Sequence, residues 1–142
     1  METKLVEALH KLLADTYALY IKTQNYHWNV VDVNFYSLHK LFEEQYSDLA
    51  EAIDEIAEQI RKLDHNVTAS LSEFSKLTSI YEPIKSSNAV DLLQDLMKDN
   101  QTLIASCKAV IAVGEGSTTA DLVAERIAQH EKNIWFLKSS IK

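Results

Sequence analysis

An all-α four-helix bundle with a short extra helix in one long connection is predicted by three features of this sequence. Gly and Pro together number only three of 142 residues (Gly114, Gly116 and Pro83), too few to turn a sandwich, a barrel or a chain of hairpins. With 46% apolar and 25% charged residues, the chain has the material for a real core and is not disordered. Four long segments repeat apolar residues at three- and four-residue steps, which is the helical period. No composition shift or low-complexity run marks a second domain, so residues 1–142 read as one.

The first segment runs from about Thr3 to Asn29, where Val6, Leu9, Leu13, Tyr17 and Tyr20 gather on one face. The second opens near Asn34, the expected N-cap. It carries Leu38, Phe42, Gln45, Leu49, Ile53, Ile56, Ile60 and Leu63 in a near-heptad series. The third follows Ser86, Ser87 and Asn88, with Leu93, Leu96, Met97, Ile104, Cys107, Val110 and Ile111 as its apolar positions, until Gly114 and Gly116 end it. The fourth starts near Thr118, whose spacing to Asp121 resembles a capping box, and continues through Val123, Ile127, Ile134, Leu137 and Ile141. Each segment is ~37 Å long at ~1.5 Å per residue, ordinary for a four-helix bundle. The links at 30–34 and 113–117 are short, so segments one and two, and three and four, form antiparallel hairpins. Asp64 to Ser87 is long enough to cross the bundle, and within it Ser70 to Leu77 reads as a short helix whose apolar contacts are Phe74 and Leu77.

Several function classes fall away on composition. The single cysteine, Cys107, forms neither an internal disulfide nor a thiolate zinc cluster, so a reducing, cytoplasmic setting is expected. The start METKLVEALHKLL has no cationic end followed by an apolar block, and charged residues interrupt every apolar window, so neither a signal peptide nor a membrane span is expected. The formal charge of -7 repels phosphate backbones and suits cations.

The second segment carries the chemistry. His39 and Glu43 are four residues apart, and so are Asp54 and Glu58, so each pair occupies adjacent turns of one face. All four fall within an arc of roughly 100°, yet Glu43 and Asp54 lie ~16 Å apart along the axis, so no ion touches both pairs in one chain. Two copies packed antiparallel about a two-fold axis remove that obstacle. In such a pair, facing residues have numbers with a constant sum, and 39 with 58, and 43 with 54, both add to 97. An axis between Asp48 and Leu49 sets His39 and Glu43 of one copy against Asp54 and Glu58 of the other, giving two equivalent sites per dimer. A charge introduced at Leu49 is expected to break the pairing. His27 lies twelve residues before His39 across the short turn, so the two imidazoles approach one another in the hairpin. Two imidazoles and three carboxylates suit an exchangeable divalent ion that changes oxidation state, iron(II) first, with zinc or manganese as competitors. Taken singly, such pairs are also what the solvated face of any charged helix presents.

The stretch His27-Trp28-Asn29-Val30, Asn34-Phe35, Leu38-His39, Phe42-Glu43-Glu44-Gln45-Tyr46 and Asp54-Glu55-Ile56-Ala57-Glu58 resembles the signature of the Dps family, mini-ferritins named for DNA protection during starvation. The ending from His130 to Ser140 resembles the family's last helix, so the likeness spans nearly the whole chain in one register. It implies the ferritin-like fold and ferroxidase ligands at His27, His39 and Glu43 of one subunit with Asp54 and Glu58 of its two-fold partner. It further implies a dinuclear iron centre, a hollow shell of twelve subunits, oxidation of iron(II) preferentially by hydrogen peroxide, and storage of iron(III) mineral. Around the start of the fourth segment, Glu115, Asp121 and Glu125 occupy positions where the family forms acidic three-fold pores. Asp121 also has a simpler role as favourable charge at a helix N-terminus. Trp28 and Tyr46 sit near the site in sequence, as redox partners or as plain packing.

Other histidines have plainer readings. Glu7 and His10 match the Glu-x-x-His motif of larger ferritins, but such a site needs two copies and two further acids on separate helices, and only this copy occurs, so the match is read as chance. His130 falls on an apolar stripe as a hydrogen-bonded core or interface histidine, and His65 favours the negative end of the second helix.

The sequence departs from the family pattern in places. Glu43 stands where many members have Asp, which lengthens one ligand arm. Asp32 stands where the turn often has Gly, and tolerates a left-handed backbone. Gln59 and Asp64 replace a common Arg and Gly. Only Lys4 precedes the first apolar positions where DNA-coating members carry a basic extension, and Lys138 and Lys142 compensate weakly, so DNA binding is disfavoured; a DNA-compacting architectural protein with iron oxidation secondary is the alternative reading.

Overall fold

Helix-forming residues dominate α1 (Glu2–Asn29), α2 (Phe35–Lys62), α4 (Ala89–Val113) and α5 (Thr118–Ser139), and the short α3 (Leu71–Leu77) sits in the crossover. The computed structural model describes residues 2–141, so Met1 and Lys142 lie outside the described residues. No strand occurs among the described residues, and no helix there is long and apolar enough to cross a membrane. Each hairpin buries one face against the other: Leu9, Leu12, Leu13 and Leu19 of α1 meet Phe42, Leu49, Ile56 and Ile60 of α2 in one core with Leu92, Leu93, Leu96 and Leu103 of α4 and Val123 and Leu137 of α5.

The crossover runs parallel to α1, pinned by polar groups at rising positions on both strands of chain. The Thr68 amide donates to His10 Nε2 at 3.0 Å. The Thr78 hydroxyl and the Ser79 amide both donate to Asp15 at 2.7 Å. The Ile84 amide donates to the Tyr26 hydroxyl at 3.0 Å, and the Val31 amide to the Ser87 carbonyl at 3.0 Å. The chain leaves α2 at one end and returns to the α1–α2 turn at the other, as its length requires. His10, whose Nδ1 donates to the Val6 carbonyl, therefore has a structural post.

Asp15 is fully buried and also accepts from Ser106 at 2.6 Å and from Lys11. A buried carboxylate persists only when its lone pairs are filled, and here four donors from α1, α4 and the crossover fill them. Asp15→Asn keeps the shape but weakens these charge-assisted bonds and introduces an amide facing donors. Urea denaturation should show a loss of about 2 kcal/mol.

The ends of the elements correct several expectations. Asn34 is the N-cap of α2 but makes no side-chain cap bond; its own amide donates to Asp32 at 2.8 Å, so the carboxylate two residues earlier shapes the turn. Among the described residues, the left-handed non-glycine residue is Asp64, with φ 65°, and not Asp32. The cap of α5 is Ser117, which accepts from the Ala120 amide at 3.1 Å, so the Thr118–Asp121 box is displaced by one residue. In α3, Ser70 caps the Glu73 amide and Phe74 is buried against Tyr17, whereas Leu77, 37% exposed, is not the second apolar contact. Gly114 is packed against α1: a Cβ there would lie 2.9 Å from Leu5 Cδ1. Gly116 has φ 83°, which only glycine adopts freely.

Two polar networks cross the core. Lys22, 2% exposed, lies 2.8 Å from both Asp95 and Asp99, at angles that make ion pairs rather than aligned hydrogen bonds. Burial raises the Asp99 carboxyl to about 6 despite that ammonium. Tyr26 donates to Asp95 at 2.5 Å, and burial with that carboxylate raises its phenol well above the ordinary range. On the other side, Arg126 of α5 holds Asp48 of α2 with two bonds of 3.0 and 2.9 Å. His130, fully buried, donates from Nδ1 to Asn100 at 2.8 Å and accepts from Arg126 at 3.3 Å, as expected of a core histidine. Cys107 is buried, and that burial pushes its thiol up to about 12, so it is an inert small hydrophobe.

Candidate metal centre

The α1–α2 hairpin brings His27 and His39 face to face, with ring centroids 3.7 Å apart and planes inclined by 14°. Their twelve-residue separation lets each ring reach the other's backbone. His27 Nδ1 donates to the His39 carbonyl at 2.7 Å, and His39 Nδ1 donates to the His27 carbonyl at 2.8 Å. A carbonyl only accepts, so each Nδ1 carries the proton and each Nε2 keeps its lone pair outward. That is the tautomer a metal requires, fixed in advance by outer hydrogen bonds. Phe35 stacks on His39 at 4.9 Å and Tyr46 meets His27 edge-on at 5.2 Å, so both rings are held from the sides as well.

Glu43, one turn after His39, completes a cluster in which one ligand atom from each of the three residues lies within 4.8 Å of the others. His27 is buried, and His39 and Glu43 are half-buried. Glu43 lies 3.6 Å from Lys40, a half-exposed pair that leaves the carboxylate free to turn. Two imidazoles and a carboxylate form a mixed nitrogen and oxygen set suited to a first-row divalent ion, with coordination positions to spare.

Asp54 and Glu58 do not join this cluster within the chain; both are exposed on α2. The helix arithmetic required that separation. The midpoint of the two pairs needs one correction: Leu49 is 1% exposed and belongs to the chain's own core, so a charge there breaks the subunit and not a contact between copies. The residues that face outward at that midpoint are Ser47 and Ala50, both exposed and both small. Small residues let two helices approach closely, and their numbers share the sum of the two candidate pairs.

Glu115, Asp121 and Glu125 are all exposed, on the α4–α5 turn and the first turns of α5. They form no metal-holding group among the described residues of a single chain. Gln59 accepts a hydrogen bond from Thr119 at 2.9 Å, tying α2 to α5 near these acids. Trp28 is 64% exposed and leans against His27 with centroids 6.3 Å apart. The sequence reading assigned no role to the reciprocal carbonyl bonds or to the Phe35 buttress. Only the twelve-residue spacing of the histidines hinted at them.

Comparisons with known proteins agree with this architecture. A family model for the ferritin-like domain matches residues 6–142. DNA protection during starvation protein 2 of Bacillus anthracis is 32% identical over 98% of this chain and 97% of its own length. The DNA protection during starvation protein of Helicobacter pylori is 32% identical, covering 97% of this chain and 99% of its own. Among solved structures, a Vibrio cholerae Dps protein, described as a member of a broad superfamily of ferritin-like diiron-carboxylate proteins, superposes with a TM-score of 0.93. It is 32% identical and covers 99% of this chain and 91% of its own. The fold, the coverage and the identity together show that this chain belongs to the ferritin-like family, as a member of its Dps branch.

Proposed function

We propose that the chain is a ferroxidase and iron-storage subunit, in which two copies of α2 pack antiparallel about a two-fold axis and share two dinuclear sites. His27, His39 and Glu43 come from one copy, and Asp54 and Glu58 from the other. Supporting this reading above all is the preset half-site, two imidazoles with outward Nε2 atoms beside Glu43, together with an exposed acidic pair at the complementary position on the same helix. Two iron(II) ions held together give hydrogen peroxide two electrons at once; with two protons it becomes two waters, and no hydroxyl radical is released. The iron(III) collects as mineral inside a shell of twelve subunits, which protects the cell from oxidative stress. Zinc and manganese compete for the same donors. Rings of Glu115, Asp121 and Glu125 around three-fold openings would concentrate entering cations. The single buried thiol fits a cytoplasmic, reducing compartment.

DNA compaction is not part of this reading. A charge of -7 per subunit opposes duplex binding at physiological salt. A gel shift titrated with salt checks that point, and retention of DNA at physiological salt would reverse it.

The central test adds iron(II) anaerobically, then peroxide, and follows iron(III) by absorbance in wild type and in Asp54→Ala/Glu58→Ala. Removing groups that only support a metal ligand costs roughly 10–100-fold, and loss of ligands themselves should cost no less. Unchanged oxidation in the variant defeats the proposed site.

A further inference from the structure

Four aromatic rings continue from the metal centre through α1 to α3 in the crossover. Tyr46 meets His27 edge-on, with centroids 5.2 Å apart. Tyr20 meets Tyr46 at 6.0 Å and an interplanar angle of 73°, and Tyr17 meets Tyr20 at 6.0 Å and 89°. Tyr17 then stacks on Phe74 at 4.9 Å. Tyr17 and Phe74 line a cavity of about 420 Å³ whose wall also includes Lys22, Thr78, Tyr81 and Glu82.

The phenol groups in this chain are what packing leaves unexplained. Edge-to-face contact between rings needs no hydroxyl, and phenylalanine would fill the same space. Tyr26 shows the contrast: its hydroxyl is committed to Asp95 and to the Ile84 amide and has a structural purpose. The hydroxyl of Tyr20 receives only a long 3.3 Å bond from Gln24, and those of Tyr17 and Tyr46 make none among the described residues. Three consecutive phenols, all half-buried, thus link the imidazole pair to a solvent-reaching cavity.

We propose that Tyr46, Tyr20 and Tyr17 form a relay that carries an oxidising equivalent from the metal centre to the Tyr17 cavity when peroxide meets a site holding a single iron(II). The inference rests on the ferroxidase reading above. With one iron(II) present, peroxide lacks its second electron, and Tyr46 supplies it. Iron(II) and the phenol each give one electron. The phenol's proton and one further proton complete two waters, leaving iron(III) and a tyrosyl radical. Each later step moves one electron and one proton from the next phenol to the radical before it, so the radical passes to Tyr20 and then to Tyr17. The damaging equivalent thereby leaves the ligands and ends where solvent reaches it.

The test loads the assembled protein with one iron(II) per site, adds peroxide, and freezes samples for electron paramagnetic resonance. A parallel sample contains a nitroso spin trap, and peptide mapping locates the adduct. Wild type should give a tyrosyl signal with the adduct on Tyr17. Tyr20→Phe should keep a tyrosyl signal yet lose the Tyr17 adduct by on the order of tenfold, because the middle ring cannot give up a phenolic proton. Tyr17→Phe should retain the signal with no adduct at that position. Equal Tyr17 labelling in wild type and Tyr20→Phe, or a radical on Trp28 with none on the tyrosines, overturns the relay. Absorbance at two iron(II) per site separates the two failures. Normal oxidation there, with no Tyr17 adduct at one iron(II) per site, defeats the relay alone, whereas absence of oxidation at both loadings defeats the ferroxidase reading and the relay with it.

Discussion

Co-expression of two chains, each deficient on its own, should restore about one quarter of the wild-type number of iron-oxidising sites if the proposed centre is shared between copies. One chain is His39→Ala, which loses the imidazole half but keeps Asp54 and Glu58. The other is Asp54→Ala/Glu58→Ala, which keeps His27, His39 and Glu43. Each alone should oxidise iron(II) with a loss of at least roughly 10–100-fold. In a two-fold dimer of one chain of each kind, one site combines both damaged halves and the other combines both intact halves. Random pairing makes about half of the dimers mixed, and half of the sites in those are whole, hence about one quarter overall. A site built within one chain gives no recovery, and a site that needs only the cluster of His27, His39 and Glu43 leaves the double variant active from the start. Stopped-flow absorbance, normalised to subunit concentration, measures the fraction. The outcome depends on geometry, because the two acids are exposed on α2 and excluded from the histidine cluster of their own chain.

How much of this was legible in the sequence follows from which forces are local. Apolar periodicity set the four long helices, since Leu9, Phe42, Leu96 and Leu137 recur at helical steps and are buried by those steps. Spacing along one helix located the candidate ligands for the same reason. Where a choice depended on the neighbouring turn, the reading slipped. Ser117, Thr118 and Thr119 are all competent caps, and the left-handed Gly116 selects Ser117 by turning the chain just before it. Leu49 lies next to the arithmetic midpoint, but a midpoint in sequence does not say which face of the helix is presented, and the apolar face was already spent on the core. Leu77 ends a helix of only seven residues, after which the chain turns so that Thr78 reaches Asp15, leaving that leucine outside. The reciprocal bonds between His27 and His39 were beyond reading, because they require the register of two helices to be known to within one residue.

His130 and Asp99 should pull acid stability in opposite directions. Burial, and then the Arg126 charge, lower His130 from 6.5 to about 3, so the folded chain keeps it neutral while the unfolded chain protonates it. Its contribution is complete above pH 6.5 and is lost as pH falls toward 3, amounting to about 5 kcal/mol across that window. Burial raises Asp99 from 3.8 to about 6, so here the folded chain holds the extra proton. Its contribution is complete below pH 3.8 and is lost as pH rises through 6, amounting to about 3 kcal/mol. Urea unfolding followed by circular dichroism, at fixed subunit concentration, isolates each group by difference. The stability gap between wild type and His130→Gln should close by about 5 kcal/mol as pH falls through its window. Asp99→Asn should behave oppositely, becoming more favourable relative to wild type by about 3 kcal/mol between pH 4 and pH 6. A gap that stays constant for His130→Gln would mean that the imidazole is already charged inside the fold. The Nδ1 bond to Asn100 would survive that charge, but the Arg126 guanidinium, which donates to Nε2 at 3.3 Å, would then face an N–H of like charge. That conflict is why the neutral form should hold.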